Sequence, residues 1–366
     1  MSEAVQETTL LQLQLDSIHQ GLGATMTEQD GWSVPASYGD ALAEYAAVRD
    51  SGAGLIDLSS RGRLLVTGSE SLQFLNGLIT NDMKTLAANQ WMLAAFPNVQ
   101  GRMLALVRVL NQSNDGSLAF LIDTEAATHQ QVFKTVQRFT LAGDFRVEDL
   151  TDKTALLSLL GAGAASIIQN VFGEAAVNVQ PFQVVQAPFQ SSSATIVRST
   201  HTCEHGFDLI VPAEIAREFW DALMNAGARA VGYEAFEILR VEAGIPRYGI
   251  DMDDTNVVSE TGLDDAISFT KGCYIGQEII ARIKYRGHVA KRLTGVVFNG
   301  SVSVARGAKL TSVDDKEIGR ITSSTDSPRL GRTIALAYVK YDYLAPGTKV
   351  KVDEVSGLVV ELPFAL

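Results

Sequence analysis

The chain has 366 residues, 46% of them hydrophobic and 20% charged, with a net charge of −12. At about 100–200 residues per domain this length predicts two or three domains with their own cores, and the composition excludes a disordered chain. The acidic balance argues against direct nucleic-acid binding and against an anionic membrane, and no run of about 18 apolar residues offers a membrane span. The opening MSEAVQETTLLQLQLD has neither a basic nor an apolar segment of a secretory signal, so a cytoplasmic chain is expected. Cys203 and Cys273 then read as free thiols, too few for a zinc finger or for the roughly four thiolates of an ordinary iron–sulfur cluster.

Residues 1–35 read as an appendage. Its leucines at 10, 11, 13 and 15 fit helix or strand, and Gly21, Gly23, Gly31 and Pro35 punctuate the stretch after them. Asp40 is placed to cap a helix reaching Arg49, ended by Gly52 and Gly54. RGRLLVTG (61–68) predicts a strand, and SESLQFLNGLI (69–79) a helix capped by Ser69. Residues 91–123 predict three strands, broken at Pro97–Gly101 and at the Asn-Asp-Gly turn 114–116. A helix over 124–140 comes next, then a strand, glycine turn and helix over 154–173. TIVRSTH and FDLIVP form a hairpin about Glu204–Gly206, and a helix over 213–227 comes after it. After about residue 288 six short β-like runs replace all helix signals, the pattern of a small barrel or sandwich.

Three clusters invite a chemical reading and carry a plain one beside it. Gly161-Ala-Gly163 stands where a dinucleotide fingerprint would, but position 166 is Ser, and a tight strand–helix turn explains the glycines. Asp251, Asp253 and Asp254 lack the glycine and closing glutamate of a calcium loop, so a solvated loop is expected. His201, Cys203 and His205 would share one face of a hairpin, although no fourth metal ligand is evident.

KGCYIGQE (271–278) differs in kind. Gly272 and Gly276 bracket Cys273, and Ile279, Ile280 and Ile283 predict a helix starting near Gln277. A helix N-terminus and the charge of Lys271 both favour a thiolate, which Glu278 opposes. Cys273, assisted by Lys271, is therefore the candidate catalytic group, against the alternative of a structural cysteine in a glycine-rich turn. Arg282, Lys284, Arg286, Lys291 and Arg292 come directly after, either as a solvated face or as a landing site for a polyanion such as a polyglutamate tail, a phosphate or RNA.

The motif Lys271-Gly272-Cys273-Tyr274-Ile275-Gly276-Gln277-Glu278 resembles the signature of YgfZ-type folate-binding proteins, which include mitochondrial Iba-type iron–sulfur assembly factors. RVEAGIPRYGIDM (240–252), ETGLDDAISF (260–269), LIDLSSRGRLLVTG and IGRITSS extend the resemblance over roughly residues 38–366. That group is a branch of the superfamily of the glycine-cleavage T-protein, an aminomethyltransferase that uses tetrahydrofolate. The resemblance implies an α+β fold of three domains around a central folate site, the last a β barrel. It places an appendage at 1–35, a folate-binding region at 36–287 (36–56 with 150–230, and 57–149 with 231–287) and a barrel at 288–366.

It also implies Glu204 as a pterin ligand, from HTCEHGFDLIV, and Tyr248 near the folate. The aspartates that the T-protein uses for transfer fall, by this resemblance, on Ala105 and Leu106, and one of its arginines falls near Phe236. Tetrahydrofolate or a derivative is the expected cofactor. The implied role is iron–sulfur cluster assembly or repair, with iron–sulfur client or assembly proteins as partners and tRNA modification downstream. The rivals are a folate-dependent aminomethyltransferase or demethylase, and a non-catalytic binding scaffold.

Overall fold

The computed structural model describes residues 9–364 apart from 115, 142 and 200. A six-stranded sheet runs in the order Val184–Phe189, Ser192–Arg198, Gly206–Pro212, Thr154–Leu160, Gly54–Asp57 and Arg229–Ala230. A five-stranded sheet runs Trp91–Pro97, Met103–Asn111, Ala119–Thr124, Gly62–Thr67 and Arg146–Asp149. Residues 291–360 close into a six-stranded barrel, as the six β-like runs predict. Mixed sheets and helices ending in a β barrel form the α+β arrangement that was expected.

Helix patterns track burial. Ala216–Asn225 buries Ala216, Phe219, Trp220 and Leu223, a spacing of three and four that lays one stripe on the first sheet. Ala126–Gln137 buries Thr128, His129, Val132 and Val136 against the second sheet in the same way. Asp40 caps Ala41–Arg49 through the Leu42 and Ala43 amides, as expected. Ser69 does not cap its helix: Ser71–Leu78 starts at Glu70, and the Ser69 hydroxyl instead donates to Asp144 at 2.9 Å. The Asn-Asp-Gly turn falls between Asn114 and Ser117, with Asp115 outside the described residues.

Residues 1–35, expected as an appendage, supply core from Leu13 onward; the first eight lie outside the described residues. Leu13, Trp32 and Val34 pack with Ile56, Leu156 and Ile210 of the first sheet, Leu110 and Leu121 of the second, and Phe236 and Leu239 of helix Tyr233–Glu242. Trp32 and Val34 belong to strand Trp32–Ser37, paired with Thr25–Gln29 through an Asp30-Gly31 turn. Truncating a buried side chain of this size costs about 2–5 kcal/mol, so this hairpin is integral to the junction of the sheets.

Candidate functional site

The two sheets meet through a buried chain of charge. Arg108 and Asp123 lie opposite each other on neighbouring strands of the second sheet, and Asp208 comes from the first. Arg108 donates to Asp123 at 2.6 Å and to Asp208 at 2.5 Å, Arg61 donates to Asp123 at 2.8 Å, and His201 Nε2 lies 2.9 Å from Asp208. Burial raises both carboxyl pKa values, but Arg108 and Arg61 outweigh it at Asp123, and His201 and Arg108 outweigh it at Asp208. Both carboxyls are thus held below the usual carboxylate range.

This chain of charge ends at a cavity of about 50 Å³, where the sheets, the hairpin and helix Tyr233–Glu242 converge. Arg61 reaches it and donates to Glu125 at 2.5 Å, at the head of helix Ala126–Gln137. Burial raises Glu125, but Arg61 and then Arg247 lower it further, so it stays a fixed anion. On the opposite wall Arg247 donates to Glu237 at 2.5 Å and stands 3.7 Å from Asp30, while its Nε, buried, has no partner. Phe236 and Tyr233 supply apolar wall, and burial pushes the Tyr233 hydroxyl up to about 12, leaving it protonated, 3.3 Å from the Ser60 hydroxyl.

Asp30 occupies the hairpin tip with φ 51, next to Gly31 at φ 83, the pair of left-handed positions a two-residue turn requires. Burial, and after it the charge of Glu125 and other carboxylates, raises its pKa against the pull of Arg247. Sequence reading missed Asp30, Arg61, Glu125 and Arg247. Only the Asp-Gly dipeptide was a local signal, for a turn and not for a site.

The two residues expected at the folate are packed apart. Glu204 is ion-paired with Arg49 at 2.5 Å and borders a pocket of about 420 Å³ with Trp91, Phe182 and Arg198. Tyr248 is buried in a cluster with Met103, Leu106, Tyr274 and Ile280, and its hydroxyl donates to the Met103 carbonyl at 3.2 Å. Ala105 is fully buried in the core behind the second sheet. Strand Met103–Asn111 reads MLALVRVLN, so no carboxylate stands on it.

KGCYIGQE is a docked segment. Gly276 takes φ 77, and a Cβ there would lie 2.3 Å from the Asn98 carbonyl oxygen and 3.1 Å from Gly101. The Ile275 amide donates to Gly77 and the Gln277 side chain to Lys271. Lys271, expected to act with Cys273, turns its ammonium towards helix Ser71–Leu78. Its ammonium donates to the carbonyls of Asn76, Ile79 and Asn81 at 2.7, 2.9 and 2.6 Å, around the C-terminus of helix Ser71–Leu78. Three acceptors occupy its three protons, and burial pushes its pKa down to about 8. Cys273 is an exposed free thiol, Gly272 faces open space, Tyr274 is buried and Glu278 is exposed ahead of Ile279.

The basic stretch is only partly unpaired. Arg292 pairs with Asp264 at 2.7 Å, Lys284 lies over the Phe269 ring and Lys291 over Tyr338, while Arg282 and Arg286 stand exposed. The glycine pair takes its plain reading as a tight turn, and the aspartate loop does not. A Cβ at Gly161 would meet the Gly52 and Val48 carbonyls at 2.6 and 2.8 Å, which leaves no room for a phosphate. Asp251, expected in a solvated loop, is buried and accepts from Arg240, Thr322 and Ser323. His201 turns to Asp208, His205 to Arg198 and Cys203 to the Ala243 carbonyl. Among the described residues no group of His, Cys, Asp and Glu is arranged to hold a metal ion.

Residues 15–271 match the GCVT N-terminal domain, and residues 291–364 match the glycine cleavage T-protein C-terminal barrel domain. The chain belongs to the glycine cleavage T-protein family. An aminomethyltransferase of Geobacillus kaustophilus is 32% identical over 362 residues, covering 96% of this chain and 97% of the relative. One from Herpetosiphon aurantiacus is 29% identical over 357 residues, covering 96% and 98%. The crystal structure of glycine cleavage system aminomethyltransferase T from Bartonella henselae superposes with a TM-score of 0.89 at 24% identity, covering 97% of this chain and 98% of that one, which shows the shared fold.

These comparisons overturn the YgfZ-type iron–sulfur function expected from KGCYIGQE. The matching full-length relatives are named aminomethyltransferase, and they favour the rival aminomethyltransferase reading. Iron–sulfur partners and tRNA modification fall with that expectation. Among the described residues no helix is long and apolar enough to cross a membrane.

Proposed function

We propose that this T-protein family member binds tetrahydrofolate in the central cavity and transfers a one-carbon unit between it and an amine-bearing donor. The observation that carries the proposal is the cavity itself, apolar on one wall and lined elsewhere by fixed charges of both signs. Its residues fit a reduced pterin. Glu125 is a carboxylate acceptor for ring N–H groups, Phe236 and Tyr233 offer faces for the rings, and the partnerless Arg247 Nε is a donor in search of an acceptor. Bound tetrahydrofolate supplies a nucleophilic ring nitrogen. The chain holds Glu125 ionised through Arg61, keeps Tyr233 protonated, and screens the site from water with the hairpin.

Glu204 and Tyr248 are proposed as positioning residues. Glu204 acts through Arg49, which also donates to buried Glu242 at 2.7 Å, and Tyr248 acts through the carbonyl of Met103 on strand Met103–Asn111. Folate binding without transfer is a second reading, favoured by the apolar Leu104-Ala105-Leu106 on that strand.

Mixing the protein with tetrahydrofolate and aminomethyl donors, and monitoring methylene-tetrahydrofolate and released ammonia, separates the two. Turnover supports transfer, and stoichiometric binding without turnover supports the second reading. Failure to bind tetrahydrofolate overturns both.

A further inference from the structure

We infer that Asp30, at the tip of the N-terminal hairpin, is the proton-transfer carboxylate of the central cavity, with Glu125 as its fixed anionic neighbour. The inference rests on the proposed one-carbon transfer and names the group that moves the proton in it. Delivery of the carbon as a methylene bridge forms two carbon–nitrogen bonds on the folate and breaks the donor's two bonds to that carbon. One electron pair leaves with the amine and the other with the donor's second group. The two attacking N–H groups lose one proton each, and the amine and the second leaving group gain one each, so a carboxylate that accepts and returns a proton in each half closes the balance without an oxidant or reductant.

Strand Met103–Asn111 carries no group for this, since Arg108 is its one ionisable side chain and is committed to Asp123 and Asp208. The cavity has two carboxylates, and they differ. Glu125 is held by Arg61 at 2.5 Å, which fixes it as an anion and spoils it as a base. Asp30 is held loosely, its nearest cation being Arg247 at 3.7 Å, a guanidinium that already donates to Glu237 at 2.5 Å.

The groups acting on the Asp30 carboxyl are Glu125, Glu28 and Glu237, which favour its protonated form, and Arg247, which opposes them; His201 and Arg61 stand in the same cavity. Two carboxylates driven in opposite directions by their surroundings divide into a fixed charge and a proton carrier. The side chain of Asp30, 29% exposed, stands at the mouth, where a donor amine entering from solvent meets it first.

Asp30→Asn tests this cleanly, because Asn-Gly suits the same two-residue turn and the hairpin survives. Turnover should fall by about 10²–10⁴-fold, the ordinary contribution of a positioned acid–base group, with tetrahydrofolate affinity within about threefold of wild type. Asp30→Glu should recover part of the loss. Independently of turnover, carboxyl-labelled aspartate NMR should show one resonance, absent from Asp30→Asn, that titrates above the ordinary aspartate range. Turnover in Asp30→Asn within about fivefold of wild type, a loss confined to KM, or a resonance titrating at or below the ordinary value overturns the assignment and leaves the proposed function standing. A wild-type protein that binds folate yet transfers nothing overturns both.

Discussion

Replacing Lys271 by Met separates a structural clamp from a catalytic base. Met matches the stem of Lys271 and removes only the ammonium that donates to the carbonyls of Asn76, Ile79 and Asn81. Two of those carbonyls sit in the last turn of helix Ser71–Leu78 or just beyond it, where intrahelical partners run out and a cation meets the negative end of the helix dipole. At about 1 kcal/mol net for each lost hydrogen bond the variant is roughly 3 kcal/mol less stable. With about 2–4 °C per kcal/mol for domains of 150–250 residues, its melting temperature drops by roughly 6–12 °C. Thermal unfolding by circular dichroism reads the shift directly, and transfer activity measured well below the transition should survive. Unchanged melting together with abolished turnover at low temperature would refute the clamp and restore Lys271 to the chemistry.

Arg108→Met takes one partner from each of two fully buried carboxylates and leaves Arg61 on Asp123 and His201 on Asp208, so the loss falls towards the lower end of the range of about 3–5 kcal/mol for breaking a buried ion pair from one side; denaturant titration should show it, and a loss under about 1 kcal/mol would contradict this picture of the junction. Asp149 behaves differently because it titrates. Burial raises its pKa, but hydrogen bonds from His129 and Thr151 outweigh that and hold it at about 2, below the ordinary aspartate value. A depressed carboxyl contributes stability that is full above its unfolded pKa and is lost as pH falls through the folded value. The destabilisation of Asp149→Asn relative to wild type should therefore be constant above about pH 4 and shrink towards about pH 2; an equal gap at both ends excludes that pairing as its source. Gly276→Ala places a methyl 2.3 Å from the Asn98 carbonyl oxygen at φ 77, and the left-handed backbone alone costs about 1–2 kcal/mol; proteolysis should open the 271–286 segment faster, and an unchanged rate would show that the segment is not docked there.

Local patterns were legible from the chain alone, and pairings between distant residues were not. Six short runs separated by turn residues announced the barrel, and Asp40 announced its helix, because strand alternation and capping are decided within a few residues. The site depends instead on Arg61 meeting Glu125 and on Arg108 meeting Asp208, side chains 64 and 100 positions apart, and no single-sequence pattern records such pairings. The N-terminal hairpin was hidden for another reason. Strand Thr25–Gln29 has mostly exposed side chains and offers no apolar alternation, so its Asp-Gly turn read as punctuation in an appendage. KGCYIGQE was visible, but its lysine and glycines serve docking against helix Ser71–Leu78 and the Asn98–Gly101 turn, which spacing does not reveal. The iron–sulfur role attached to that motif gave way to full-length relatives named aminomethyltransferase.

The most direct test of folate in the central cavity is titration calorimetry of tetrahydrofolate on the wild type and on Glu125→Gln. The account predicts one site per chain in the wild type. It also predicts affinity weakened at least about tenfold, or about 1.4 kcal/mol, when the fixed carboxylate is neutralised. No binding by the wild type, or equal affinity in the two proteins, would contradict it.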